Sequence, residues 1–371
     1  MNRVNRRHPQ KDLIEILVKA LKINIKPKPP DRKRISFSII PVSSTTSGGD
    51  QILVSSINAA FTFGHIDSTN ISSVYFLPYT DLVENFGFGT KINLWTSKNN
   101  WNIPVEFRIS SLTQYSYGLG SSTEKKDQFR LKYNNVRFYG TANRRIKGYL
   151  YAGLGINYDR YYKVSDSGDS TAFDRHGSGT DETSFSTGIT INALYDDRKN
   201  SINPDHGHYI NFIYRVNPPY LANQSRWSTA YLDYREYKSL SDTKRKIIAI
   251  WAFYWGSFGD VPYFNLPGTQ LEFGQRSGRG FSQSRFRGKH MLYLEAEYRF
   301  DISKNGLLGA VLFANVQSLS EADNEQFSQV NPAGGFGARV KFNKQSNTNL
   351  TLDFGFGNES FTFTIGLGEF F

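Results

Sequence analysis

The 371-residue sequence contains no cysteine and only two methionines. Without cysteine there is no disulfide framework, no thiolate metal site and no thiol nucleophile. No apolar run approaches the roughly 20 residues a membrane helix needs. That excludes a helical membrane protein but not a membrane barrel, whose strands each carry a weak signal. The opening MNRVNRRHPQ has no apolar core of the kind a signal peptide needs, and the rest of the chain points to a leader already removed. There is no GxSxG, and no GxxxxGK[ST] or GxGxxG in a strand-to-helix setting. The six histidines are scattered. His206 and His208 share a strand face but have no third ligand, so neither metal nor cofactor is expected. Glu295 and Glu297 have the spacing of a carboxylate pair, but with Arg299 beside them they suit an electrostatic contact better than glycoside chemistry. An enzyme is not expected.

Charge excludes a second class. The net charge is +11, but residues 1–34 alone carry +8 and the remainder is nearly balanced. A single basic arm without a recognisable binding module does not make a nucleic-acid groove.

What the chain has is aromatic residues, 22 Tyr and 29 Phe, together with 32 Gly. Lys11 to Ile23 has helical periodicity, with Leu13, Ile16, Leu17, Ala20 and Leu21 on one face and Asp12 as N-cap. Such a helix either packs on a core, or lies on a membrane or across a barrel mouth. From Ile35 onward the period is two. Sixteen strands are expected, near 35–43, 51–64, 69–79, 87–98, 101–110, 128–140, 147–163, 182–196, 206–217, 225–239, 245–258, 289–302, 306–318, 333–343, 348–357 and 359–371. Most have the length to cross a bilayer at a tilt. Several alternate cleanly, with Leu, Ile, Ala and aromatics on one face and Gly, Thr, Asn and charge on the other. Apolar-out and polar-in is the barrel pattern. Connections alternate short and long, with a long turn at Asp197–Asp205 as one exception. The expected architecture is all-β: a sixteen-stranded antiparallel transmembrane barrel over 35–371, preceded by a basic segment with an amphipathic helix over 1–34.

The strand over 289–302 puts Tyr293, Glu295, Glu297, Arg299 and Asp301 on its inner face. The Gly-rich connection before it carries Gly278-Arg279-Gly280-Phe281. An arginine on so flexible a tip, folded inward, needs carboxylates, and Glu295, Glu297 and Asp353 lie on inward faces. These residues resemble those of the outer-membrane protein assembly superfamily, the BamA/TamA-type surface antigens and two-partner secretion transporters. That family carries an Arg-Gly-Phe or Arg-Gly-Tyr loop tip folded into the lumen. Its periplasmic turn, an acidic residue then Arg, five residues, Pro, two residues and Gly, is matched by Asp197, Arg198, Pro204 and Gly207. The closing GLGEFF, ending in Phe371, resembles the C-terminal signal of outer-membrane proteins. Asn315 stands where the family has an aspartate on the neighbouring strand, so Arg279 must find its partners elsewhere. The resemblance covers Ile35 to Phe371 and omits the family's periplasmic POTRA domains. It implies insertion or translocation of proteins or lipids at the bacterial outer membrane, through a lumen-folded loop and a seam between first and last strands. Implied partners are outer-membrane lipid including lipopolysaccharide, unfolded outer-membrane protein clients, and periplasmic or membrane subunits touching the Lys11–Ile23 helix. The rival expectation is a passive pore or a structural barrel subunit of a larger complex.

Overall fold

A computed structural model describes residues 9–22, 36–45, 51–65, 68–82, 84–167, 183–221, 223, 225–242, 245–271 and 277–371. Most of the basic arm therefore lies outside the described residues. The helix, α1, spans Leu13–Ala20, shorter than the Lys11–Ile23 expected. Asp12 is extended and accepts the Glu15 N–H at 2.8 Å, so the helix begins after it. It ends at the Leu21 cap, beyond which Lys22 is left-handed.

The rest is all-β. The strands are β1 (Ser36–Thr45), β2 (Gln51–Phe61), β3 (Ser72–Thr80) and β4 (Phe86–Trp95). Next come β5 (Trp101–Ser116), β6 (Phe129–Lys147), β7 (Leu150–Ser167) and β8 (Thr183–Asp196). Then follow β9 (Gly207–Asn217), β10 (Trp227–Ser239), β11 (Lys246–Gly259) and β12 (His290–Asp301). The last are β13 (Leu308–Leu319), β14 (Asn331–Asn343), β15 (Thr348–Gly357) and β16 (Ser360–Leu367). All pair antiparallel with their chain neighbours in one sheet, and the strand order is cyclic, with β1 between β2 and β16.

Alternation places the side chains. On β12, Met291, Tyr293, Glu295, Glu297 and Arg299 are buried while Leu292 and Leu294 are exposed. The same inversion of the soluble rule holds elsewhere: Leu154, Ile156, Ile191, Leu312 and Phe361 are all more than half exposed. A belt of this composition belongs against lipid, where a charge at mid-depth costs about 2–4 kcal/mol.

β5, β6 and β7 run past the lengths the alternation predicts. At the far end of β6 the polarity flips. Phe129, Leu131 and Tyr133 point inward and are buried, and Arg130 and Lys132 point outward. There the strands have left the apolar belt, so the outer face becomes charged and the inner face becomes a core.

Polar side chains occupy part of the interior. Across β4, β5, β6 and β8, the side-chain amides of Asn93, Asn102, Asn143 and Asn192 form a hydrogen-bonded row at 2.7–3.2 Å. Beside it a cavity of about 370 Å³ is lined by Trp95, Asn192, Asp196, Ile202, Arg235 and Phe371.

α1 sits on the rim of short turns. Lys11 N–H donates to the Asn305 carbonyl at 3.3 Å, between β12 and β13. Asp12 accepts from Lys344 N–H at 2.9 Å, and Glu15 pairs with the Lys344 ammonium at 2.9 Å, between β14 and β15. The helix buries none of its residues, and Ile16, Leu17 and Leu21 are exposed. It packs on no core and does not enter the interior.

Candidate functional site

In the connection from β11 to β12, the described residues 260–271 and 277–289 turn inward. Its first part makes one 3-10 turn at Tyr263–Asn265, fully buried. Val261, Tyr263, Phe264 and Leu266 pack on Phe129, Leu131, Tyr133 and Tyr161 from the inner faces of β6 and β7. Phe264 stacks on Tyr161 with centroids 4.4 Å apart. Arg287, 1% exposed, closes this part by donating to the Tyr263 carbonyl at 2.7 Å.

The tip lies deeper. Gly278 and Gly280 have positive φ, +66° and +105°, a conformation that favours glycine. Gly280 lies directly on β15: a Cβ on Gly355 would be 2.5 Å from the Gly280 nitrogen. The Gly280 N–H donates to Thr362 Oγ1 on β16 at 2.9 Å, and the Gly278 N–H to the Tyr293 hydroxyl on β12 at 2.9 Å. Phe281 is fully buried, edge-on to Phe286.

Arg279 is 2% exposed. Its Nη2 donates to both Glu295 and Glu297, and its Nη1 to Asp353 at 3.1 Å. Asn315 is not an ionic partner, but its Nδ2 holds the Arg279 carbonyl at 2.9 Å. Two rings flank the guanidinium, Phe313 at 3.7 Å and Phe370 at 4.2 Å. Burial opposes the charge, but the three carboxylates raise the pKa above the ordinary arginine value.

The network extends further than these four residues. Arg299 Nε donates to Glu297 at 2.5 Å. Arg339 joins Asp353 at 2.6 Å to Glu369 at 2.8 Å, and Arg245 reaches Glu369 at 3.1 Å. Four guanidiniums thus face four carboxylates in an enclosed space. Removing one member of such a buried set leaves an uncompensated charge, which typically costs about 3–5 kcal/mol.

Glu369 and Phe370 do not belong to a strand. The alternation suggests a strand running to Phe371, but β16 stops at Leu367. Gly368, φ +88°, turns the chain inward. Phe371 is 4% exposed and packs on Trp251 and Tyr237, 5.3 and 6.2 Å between centroids. Its carbonyl accepts from Arg299 at 3.1 Å. Here Phe371 is an interior residue and not the exposed end of an edge strand. Burial alone would raise the pKa of Glu369, but Arg339, Arg245 and Arg299 hold its carboxyl well below the usual range.

The long turn between β8 and β9 also folds to a purpose. Arg198 pairs bidentately with Asp196, 2.9 Å on both contacts, and lies 4.3 Å over the Tyr209 ring. Asp197, the acidic residue of the sequence motif, instead accepts the His208 N–H and closes the turn beside Gly207, φ +100°. Pro204 is buried with Ile202 and Asn203. Asn200 and Asn203 donate to the carbonyls of Ser346 and Asn347 at 3.2 and 2.9 Å, and the Ile202 carbonyl accepts from Glu369 N–H at 3.1 Å. Six strands separate the β8–β9 turn from the β14–β15 turn, so this contact crosses the mouth of the ring.

Alternation picked out Glu295, Glu297 and Asp353, the Gly-Arg-Gly-Phe stretch picked out Arg279, and the structure brings the four together. It did not pick out Phe313, Arg339, Thr362, Glu369 or Phe370. Arg339 carried a signal, an arginine on an inward face; Glu369 and Phe370 carried none, because they leave the sheet.

In sum the site is a pinned inner loop, a turn across one mouth, and a sheet with an apolar outer belt. The family model for an Omp85 superfamily domain matches residues 84–371. Comparison with curated proteins gave no match. Among solved structures the chain is similar to BamA from Haemophilus ducreyi lacking POTRA domains 1–3. That match has TM-score 0.57 and 12% identity, over 96% of this chain and 78% of that one. CdiB from Escherichia coli matches with TM-score 0.56 and 12% identity, over 90% and 68%. CdiB from Acinetobacter baumannii matches with TM-score 0.53 and 10% identity, over 90% of this chain and 65% of that chain. With the family model covering most of its length, the chain belongs to the Omp85 superfamily.

Proposed function

We propose that this chain is a sixteen-stranded barrel of the bacterial outer membrane that inserts or translocates proteins, or lipids, across a seam between β1 and β16. In this reading residues 1–34 form a basic segment with its helix at the periplasmic rim, and residues 35–371 form the barrel. The observation that carries it is the seam. β1 and β16 share one register pair, Ser44↔Thr364, whereas β15 and β16 share eight and β2 and β3 share seven. A poorly paired edge in a sheet whose other neighbours each share seven or more pairs is where an incoming strand can add. The second element is the loop pinned by Arg279, which lies inside the barrel and restricts passage through it. Clients would be unfolded outer-membrane proteins, and the surrounding partners outer-membrane lipid including lipopolysaccharide.

The inward-folded loop, pinned at Arg279, speaks against a passive pore. A structural subunit of a larger complex is the second reading, favoured by the exposed apolar face of α1 on the short-turn rim, where periplasmic or membrane subunits could dock. Depletion from the native host separates the two. The assembly reading expects other outer-membrane proteins to fall in abundance together. Unchanged levels, with loss of a co-purifying complex instead, would leave the structural reading.

A further inference from the structure

We propose that the interior holds a second site, a cavity between the sheet and the β11–β12 connection that binds a phosphate oxyanion. It involves neither the Arg279 contacts nor the edge between β1 and β16, so its test stands apart from theirs.

The cavity measures about 110 Å³. A buried water needs on the order of 10–15 Å³ of such space, so one tetrahedral anion has room. Four guanidiniums line it: Arg108 on β5, Arg137 on β6, Arg215 on β9 and Arg287 on the connection. Among the described residues no carboxylate lines it. Arg137, Arg215 and Arg287 are buried. Two carboxylates stand behind them. Asp159 accepts from Arg137 at 2.8 Å and from Arg215 at 2.9 Å. Glu106 accepts from Arg108 at 3.0 Å and lies 3.9 Å from Arg137. Arg287 donates to the Tyr263 carbonyl and the Ser284 hydroxyl, neither of them charged. At the Arg279 site four guanidiniums face four carboxylates; here four face two. Arg108 also stands directly opposite Arg137 in the ladder, and like charges so placed repel. A buried surplus of charge is costly unless a counter-charge meets it.

Unmet donors identify the ligand. Arg215 Nη2, Arg287 Nε and Trp227 Nε1 are buried without a hydrogen-bond partner among the described residues, and all three residues line the cavity. Each is an N–H, so a cation or an apolar ligand would leave all three unsatisfied. A phosphate monoester carries roughly −1.5 to −2 charge at pH 7 and three strong acceptor oxygens. That matches both the surplus of two charges and the three open donors. Free phosphate and a phosphorylated lipid headgroup share this chemistry. Arg287 belongs to the connection and Arg215 and Trp227 to the sheet, so the anion would fasten the first part of the inner loop to the wall.

The test is calorimetric titration of the purified full chain, in uncharged detergent, with inorganic phosphate at an ionic strength fixed by sodium chloride. Saturable binding is expected, with slower hydrogen exchange at residues 261–266 when phosphate is bound. Arg215→Gln should weaken binding about tenfold, the effect of one charge-assisted hydrogen bond. Trp227→Phe keeps a ring under Arg215, now 4.7 Å from the indole, and should weaken binding by losing one donor. Thr190→Asp keeps the test sharp if Arg215→Gln does not fold. Thr190 lines the cavity, its Oγ1 has no partner among the described residues, and it stands opposite Arg215 in the ladder. A carboxylate there supplies the missing charge, so phosphate binding should vanish and melting in phosphate-free buffer should rise. Arg130→Gln removes an exposed arginine and should bind as the parent does. No saturable binding by the parent, unchanged affinity in Thr190→Asp, or an equal loss in Arg130→Gln would each overturn the site. Glycerol phosphate, titrated in parallel, separates the sources: its binding supports a lipid headgroup as ligand, and binding of inorganic phosphate alone supports the free anion.

Discussion

At the scale of single residues the account turns on charges kept out of water. Arg279 is tolerable inside because Glu295, Glu297 and Asp353 meet its N–H groups and two rings cover it. Lysine could not replace it, since one ammonium has neither the reach for three carboxylates nor the flat face for stacking. Glu369 gives a prediction with a definite sign. Its carboxyl titrates well below the ordinary 4.5 in the folded chain, facing Arg339, Arg245 and Arg299. Between that low value and about 4.5 the unfolded chain binds a proton that the folded chain does not, so stability is full above this window and falls as pH drops through it. Melting of the folded band from pH 7 to 3 should be less steep in Glu369→Gln than in the parent, and lower at neutral pH. Parallel pH profiles would contradict this. Much of the site was legible here, because inward faces follow from period two. The choice of Asp196 over Asp197 as partner of Arg198 was not, since it depends on how the turn closes around His208.

At the scale of elements, strands were easier to place than ends. Lipid on one side and water or charge on the other makes each strand declare its faces, so the centres of β7, β9, β12 and β15 are plain in the sequence. The upper parts of β5 and β7 are not, because the faces exchange polarity once the strand leaves the belt, and inversion resembles termination. β16 was overextended for the opposite reason: GLGEFF keeps alternating while Gly368 turns the backbone. α1 shows a limit of the same kind. Its apolar face was evident, but its docking through polar groups to Asn305 and Lys344 depends on turns far away in sequence. Asp12 both caps the helix and binds Lys344, so Asp12→Ala should lower helix stability by about 1 kcal/mol. Hydrogen exchange at Leu13–Ala20 should rise while β14 stays protected. Unchanged exchange at the helix would mean that some contact other than Asp12 holds it.

At the scale of the whole molecule, the chain resembles a soluble protein turned inside out. Its apolar side chains form a belt outside, and inside it holds a second core made from the β11–β12 connection, the β8–β9 turn and the last four residues. The belt fits a lipid surface, and the pinned inner loop fits a barrel held shut until something displaces it. The most direct measurement is single-channel conductance of the purified chain in planar bilayers, parent against Arg279→Ala. The account predicts that the parent is mostly closed and that Arg279→Ala opens frequently to a larger conductance. The same conductance and open probability in both, from proteins equally well folded by band shift, would contradict it.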